Sequence, residues 1–180
     1  MFLINPHPPE QASKKLTAML MLLKQSFGEV PPHFDLFTRL NPQLAEETLS
    51  NLFRLMQHKT IDPNLFPCIR LHVAAREGYD YCIHFNATLL SAKGYNDAML
   101  SAIQRDIAAI PLDSRHQILA RKSMKSLYAP KSFTENDFTE LYEQSWNDGE
   151  IYDAFDHAGF IWKNGRLITT YLSASGDKHP

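Results

Sequence analysis

HVAAREGYDYCIHFNATLL, residues 72–90, holds one of the two cysteines of a 180-residue chain, and a single glycine, Gly78, divides it into two apolar-rich halves. Read with the helical period of 3.6, the first half runs back from Glu77 to the pair Asp62-Pro63. The second half runs forward to Lys93-Gly94. Asp before Pro is a helix start, because the carboxylate caps free N–H groups and proline lacks an N–H that would go unpaired there. Glycine is the usual stop, since it takes up the left-handed conformation without steric cost. The stretch therefore predicts two helices joined at Gly78, with Cys82 in the first turn of the second.

The same punctuation extends in both directions. Residues 12–27 place Leu16, Met19, Leu20, Leu23 and Phe27 on one face before Gly28. Pro31-Pro32 opens a short helical piece with Phe34, Phe37 and Leu40, and Asn41-Pro42 starts a helix reaching about Met56. Downstream, Asn96 caps a segment with Met99, Leu100, Ile103, Ile107 and Ile110 at helical spacing, which Pro111 stops. Asp113 caps a helix to Tyr128, and Thr134–Asp137 and Asn147–Glu150 read as capping boxes for two more. The last helix carries Ile151, Ala154, Phe155, Ala158, Ile161, Trp162, Ile168, Thr169 and Leu172 on one stripe, with Tyr152, Phe160, Leu167 and Tyr171 elsewhere around it. Gly159 and Gly165 would weaken it unless a close approach offsets them. Tyr95-Asn96-Asp97 and Trp146-Asn147-Asp148 form a short internal echo, either two similar helix starts or a duplicated hairpin. No segment alternates with period 2 for long. The expectation is an all-α fold, a multi-helix domain built from helical hairpins over 1–180, with about the first 30 residues as an added helical arm.

Composition bounds the function. Apolar residues are 44% and charged residues 21%, ordinary for a globular protein. A net charge of −2 offers no basic patch for nucleic acid. Two cysteines build no disulfide framework and suggest reduced thiols in a cytoplasmic setting. The start, MFLINPHPPE, has prolines where a signal peptide needs an apolar run, and no stretch approaches a membrane span.

With the helices placed, Phe66 to Gly94 resembles the core of the alkylhydroperoxidase D-like, or carboxymuconolactone decarboxylase, superfamily. Val73-Ala74-Ala75-Arg76-Glu77-Gly78-Tyr79-Asp80-Tyr81-Cys82 is similar to its approach to the redox motif, and Ala92-Lys93-Gly94-Tyr95-Asn96-Asp97 to the helix end and restart that follow. Trp146-Asn147-Asp148-Gly149-Glu150-Ile151 and Asn164-Gly165-Arg166-Leu167 resemble the last helix of the peroxidase-related branch. The resemblance extends from about Phe34 to Leu172.

It implies an AhpD-like helical fold and homo-oligomers from dimer to hexamer. Redox relatives carry a Glu, then C-x-x-C twelve residues on, then a His four beyond the second cysteine. Here Pro67 stands at the glutamate position, Tyr79 at the first cysteine and Asn86 at the histidine, while Cys82 keeps the second cysteine. That chemistry needs a thiolate to attack peroxide, a resolving thiol, and Glu and His to move protons. A lone Cys82 would need an external thiol reductant, in a one-cysteine thiol-dependent antioxidant. The alternative is a non-redox member that binds a small molecule or serves in assembly.

The residues themselves leave both readings open. A first-turn thiol gains from the helix dipole, Asp80 opposes it, and a packed cysteine fits as well. Tyr81 and Phe85 beside Cys82 could line an apolar pocket or simply pack. Along a hairpin about Gly78, Cys68 and Cys82 would be offset by roughly 9 Å at 1.5 Å per residue, beyond disulfide reach. Asp153 and His157 sit four apart on the last helix and read as a solvated pair rather than metal ligands, since no Cys/His cluster accompanies them. Arg70 and Arg76 could anchor an acidic ligand, or lie on exposed faces. No cofactor and no metal is expected.

Overall fold

The structure is a computed structural model that describes residues 2–9 and 12–172. Among the described residues there are nine α-helices, two short 3₁₀ turns and no sheet strand. The fold is all-α, as the punctuation predicts. No helix among the described residues is long and apolar enough to cross a membrane. The chain divides into two compact units, Met1–Gln57 with Tyr171–Pro180, and His58–Thr170.

The first unit holds α1 (Lys14–Phe27), α2 (Pro32–Leu40) and α3 (Pro42–Met56). Ser13 caps α1 by accepting from the Leu16 N–H, and Asn41 caps α3 by accepting from that of Leu44. Leu16, Leu23, Phe34, Ala45 and Leu49 form its buried core, with Met19 and Leu20 partly covered. Phe27, expected on the inner face, is exposed. An isolated antiparallel bridge joins Phe2 to Leu172, and the Leu3 N–H donates to the Tyr171 carbonyl at 2.7 Å.

The second unit is built around α4 (Leu65–Glu77), buried nearly all round from Leu65 to Ala74. Pro67 is its third residue, where the first-turn N–H would have no partner inside the helix, so it costs no ladder bond. Gly78 ends α4 in the left-handed conformation (φ 72°), and the Tyr79 N–H reaches back to the Ala74 carbonyl at 2.9 Å, closing the helix end. α5 (Asp80–Ser91) then begins, with Cys82 in its first turn. α6 covers Asp97–Arg105, α7 Ser114–Tyr128, α8 Glu135–Glu143 and α9 Asp148–Tyr171.

One expected helix is shorter than its apolar spacing suggests. The segment from Asn96 does not continue to Ile110. Asp106 turns extended, its carboxylate accepts from the Ala108 N–H at 2.8 Å, and a 3₁₀ turn over Ile107–Ala109 follows. An Asp side chain competing for backbone N–H groups overrides the periodicity.

The internal echo proves to be a shared device. The Tyr95 N–H donates to the Leu90 carbonyl and the Trp146 N–H to that of Leu141, each past a left-handed residue, Gly94 (φ 90°) and Ser145 (φ 60°). Asn96 and Asn147 then cap α6 and α9 by accepting from the Met99 and Glu150 N–H groups. Glu150 returns the bond to the Asn147 N–H at 2.9 Å, completing the predicted capping box. The Thr134–Asp137 box is likewise formed.

Candidate functional site

The positions that carry the family resemblance meet where α4, α5 and α9 supply side chains to one interior cluster. Cys82 is 4% exposed, and burial pushes its thiol up to about 12, with the nearby positive charge of Arg70 lowering it only in part. A thiol with that pKa is on the order of one part in 10⁵ thiolate at neutral pH. The first-turn position favours an anion, but desolvation wins. Cys68 is wholly buried and likewise pushed up to about 12 by burial, against a hydrogen bond with Tyr95. Both cysteines are free thiols.

The three substituted positions have become packing and bonding residues. The Tyr79 ring lies against Gly165, where an added Cβ would fall 2.1 Å from Cδ2, so only glycine lets α9 come this close. The Tyr79 hydroxyl donates to the Trp162 carbonyl at 3.3 Å. Pro67 is sealed in the first turn of α4. Asn86 is 2% exposed and uses both ends of its amide: Nδ2 donates to the Cys82 carbonyl at 2.8 Å, and Oδ1 accepts from Arg70 Nε at 2.7 Å.

Arg70 extends this chain of bonds. Its Nη1 lies 3.0 Å from Nε2 of His157 on α9. A guanidinium only donates, so Nε2 must be the acceptor and the imidazole proton sits on Nδ1. That Nδ1 is buried without a hydrogen bond of proper geometry, although the Phe66 carbonyl lies close by. His157 is held between the rings of Phe66, edge-on at 5.0 Å, and Phe160, stacked at 5.5 Å. Burial, then the Arg70 charge, drives its pKa well below the usual histidine range, and the ring is neutral at physiological pH. Burial also brings Arg70 down, to about 10, which leaves it charged.

The expectation of a solvated Asp153–His157 pair is overturned. His157 faces the interior, and Asp153 instead lies 3.6 Å from Nε2 of His58. Tyr81 and Phe85 stack on each other at 6.4 Å along α5, half-buried on the stripe next to Cys82 and Asn86. Asp80 and His84 are both exposed. Arg76 lies over the Tyr128 ring, 3.7 Å from its centroid, so it is engaged rather than free for a ligand. Among the described residues no group of three or more His, Cys, Asp or Glu side chains could hold a metal ion. His157 is the participant that the sequence reading placed in solvent and the structure buries. Its only signal was an apolar neighbourhood, Phe155 to Ile161, unusual for a surface histidine.

No family model matches the sequence, and no curated protein does. Solved structures do. An uncharacterized peroxidase-related protein from Silicibacter sp. TM1040 superposes with a TM-score of 0.77 at 15% identity, covering 94% of this chain and 89% of that one. An uncharacterized peroxidase-related protein from Ralstonia eutropha JMP134, described as an alkylhydroperoxidase AhpD core, gives 0.73 at 16% identity, covering 91% and 87%. At such identities the likeness is one of fold, and the fold of this chain is AhpD-like.

Proposed function

We propose that this chain is a non-redox protein on an AhpD-like fold, in which the redox motif has turned into packing and the interior polar cluster binds a small molecule. The observation that carries the reading is the setting of Cys82: a buried thiol, its pKa pushed up by burial, whose relay position is Asn86, an amide that cannot carry a proton in either direction. Peroxide attack needs a thiolate and an acid for the leaving hydroxide. Neither is supplied here, since Arg70 is a permanent cation and His157 is turned toward it. The second reading, a one-cysteine thiol-dependent antioxidant, is favoured by the Arg70 charge, which pulls the Cys82 thiol toward thiolate.

Stoichiometric hydrogen peroxide with a sulfenic-acid trap, followed by mass spectrometry, separates the two. The non-redox reading expects Cys82 unmodified and peroxide unconsumed with any dithiol donor. A trapped adduct at Cys82 together with turnover would establish the antioxidant instead.

Self-association belongs to the same proposal. On α9, Tyr152 is 69% and Leu167 42% exposed, while Phe160 is half-covered, which leaves an apolar face for a second copy. Light scattering should give a mass above the 20.6 kDa of one chain. A constant mass of one chain over a wide concentration range would remove the assembly role.

A further inference from the structure

We propose that Arg70 anchors the carboxylate of a small monoanionic ligand, in a site completed by Asn86 and His157. This rests on the non-redox, ligand-binding reading above. Both hydrogen-bond partners of Arg70 are neutral, the Asn86 carbonyl oxygen at 2.7 Å and His157 Nε2 at 3.0 Å. Among the described residues no carboxylate pairs with it, and the only acidic groups whose field it feels are the two thiols, both protonated. A cation enclosed in this way and left unpaired carries a desolvation cost that protein interiors ordinarily offset with a counter-ion.

The guanidinium also has more N–H donors than these two bonds use. Arg70 keeps some accessible surface although its head group sits deep among protein atoms. The Asn86 and His157 bonds fix the plane of the fork, so its remaining N–H groups are pre-set for a planar acceptor. His157 adds a second donor, the buried Nδ1–H, which has only a poorly aligned Phe66 carbonyl beside it, and its one acceptor, Nε2, is already taken by Arg70. The whole cluster is therefore rich in donors and short of negative charge.

The class of anion follows from the single positive charge and its surroundings. One guanidinium neutralises one charge, and the phenyl rings of Phe66 and Phe160 flank the histidine. Phosphate, about half dianionic near pH 7, would in that form bring in an uncompensated charge, and in either form it loses more hydration than a carboxylate and has no apolar body for the rings. A monocarboxylate with an apolar body matches both the fork and the rings.

Calorimetric titration of the full chain near pH 7 at low salt, with benzoate, hexanoate and inorganic phosphate in turn, tests this. Saturable one-site binding of a monocarboxylate is expected, with phosphate at least about tenfold weaker. Arg70→Lys should weaken it by about tenfold or more, because an ammonium cannot reproduce the fork. Arg70→Gln should abolish it, and Cys82→Ser should leave it unchanged. Should the Arg70 variants not fold, amide shifts of the wild-type chain on benzoate addition must cluster at Arg70, Asn86 and His157. A flat titration with both carboxylates, tighter phosphate, or binding that survives both Arg70 changes would overturn the site. Those failures are distinct from a sulfenic acid at Cys82, which would refute the non-redox reading while leaving the anion site standing.

Discussion

Between α7 and α8, the carboxylate of Asp137 receives Lys122 Nζ at 2.7 Å, Lys125 Nζ at 2.8 Å and the Thr134 N–H at 2.8 Å. Among α4, α5 and α9, Arg70 gives its N–H groups to an amide oxygen and an imidazole nitrogen. The first cluster is an anion with two cations and a helix cap around it, saturated and close to the surface. The second is a cation in the interior with neutral partners only. Both hold helices in place, but only the second leaves a charge unmatched. Structural polar clusters close on themselves, whereas one that stays open has room for something else.

The largest effect should come from breaking the open cluster at its middle. Asn86→Leu removes the acceptor of Arg70 Nε in a site that has no replacement, stranding a charged donor. We expect a loss of about 2–4 kcal/mol in urea unfolding, since an unpaired donor on a buried charge costs its full desolvation. A loss below about 1 kcal/mol would show that water or another group already serves Arg70.

Next in size is the pH dependence, which sets the clusters in separate windows. The folded pKa of His157 is depressed, and so is that of His72, buried with Nδ1 2.8 Å from the Ile103 carbonyl. The unfolded chain binds these protons near pH 6.5 and the folded chain does not, so stability is full above that pH and falls as pH drops below it. Each such histidine contributes a slope of about 1.4 kcal/mol per pH unit. Asp137 is held well below the usual carboxylate range by its lysines, so its contribution is present above about pH 4 and is lost in stronger acid. His157→Gln should reduce the slope between pH 6.5 and 5, leaving the share of His72, and Asp137→Asn should change only the region below 4. A wild-type profile flat from pH 7 to 5 would contradict the neutral state of His157.

The two clusters were unequally legible. The Thr134–Asp137 box could be read because its partners lie three residues apart and the bond is local, as with Asn41, Asn96, Asp113 and Asn147. Gly78 was legible for the same reason. Arg70 and His157 are 87 residues apart, and no spacing announces a pair made by tertiary packing. Helical periodicity placed Asp153 and His157 on one face correctly, but not which of them the neighbouring helices would cover. Likewise the motif located Cys82 at a helix start, while its protonation is decided by burial, a property of the whole unit. Local bonds are written in sequence; desolvation is not.

The smallest effect should be Lys125→Ala, and it sharpens the contrast through redundancy. Lys125 is 35% exposed at its side chain and shares Asp137 with Lys122, which is 13% exposed and also lies 2.6 Å from Glu140. With Lys125 gone, the carboxylate keeps Lys122 and the Thr134 cap, so no buried charge is stranded. Solvent screening reduces what an exposed lysine adds, and the expected loss is below about 1 kcal/mol. Lys122→Ala alone should cost somewhat more because that ammonium is better covered. The double change should exceed the sum of the two, since only then does Asp137 lose every cation. Strict additivity would mean that each lysine acts alone. The Asp137 cluster would then have no more reserve than Arg70, and closure would not be what separates the two.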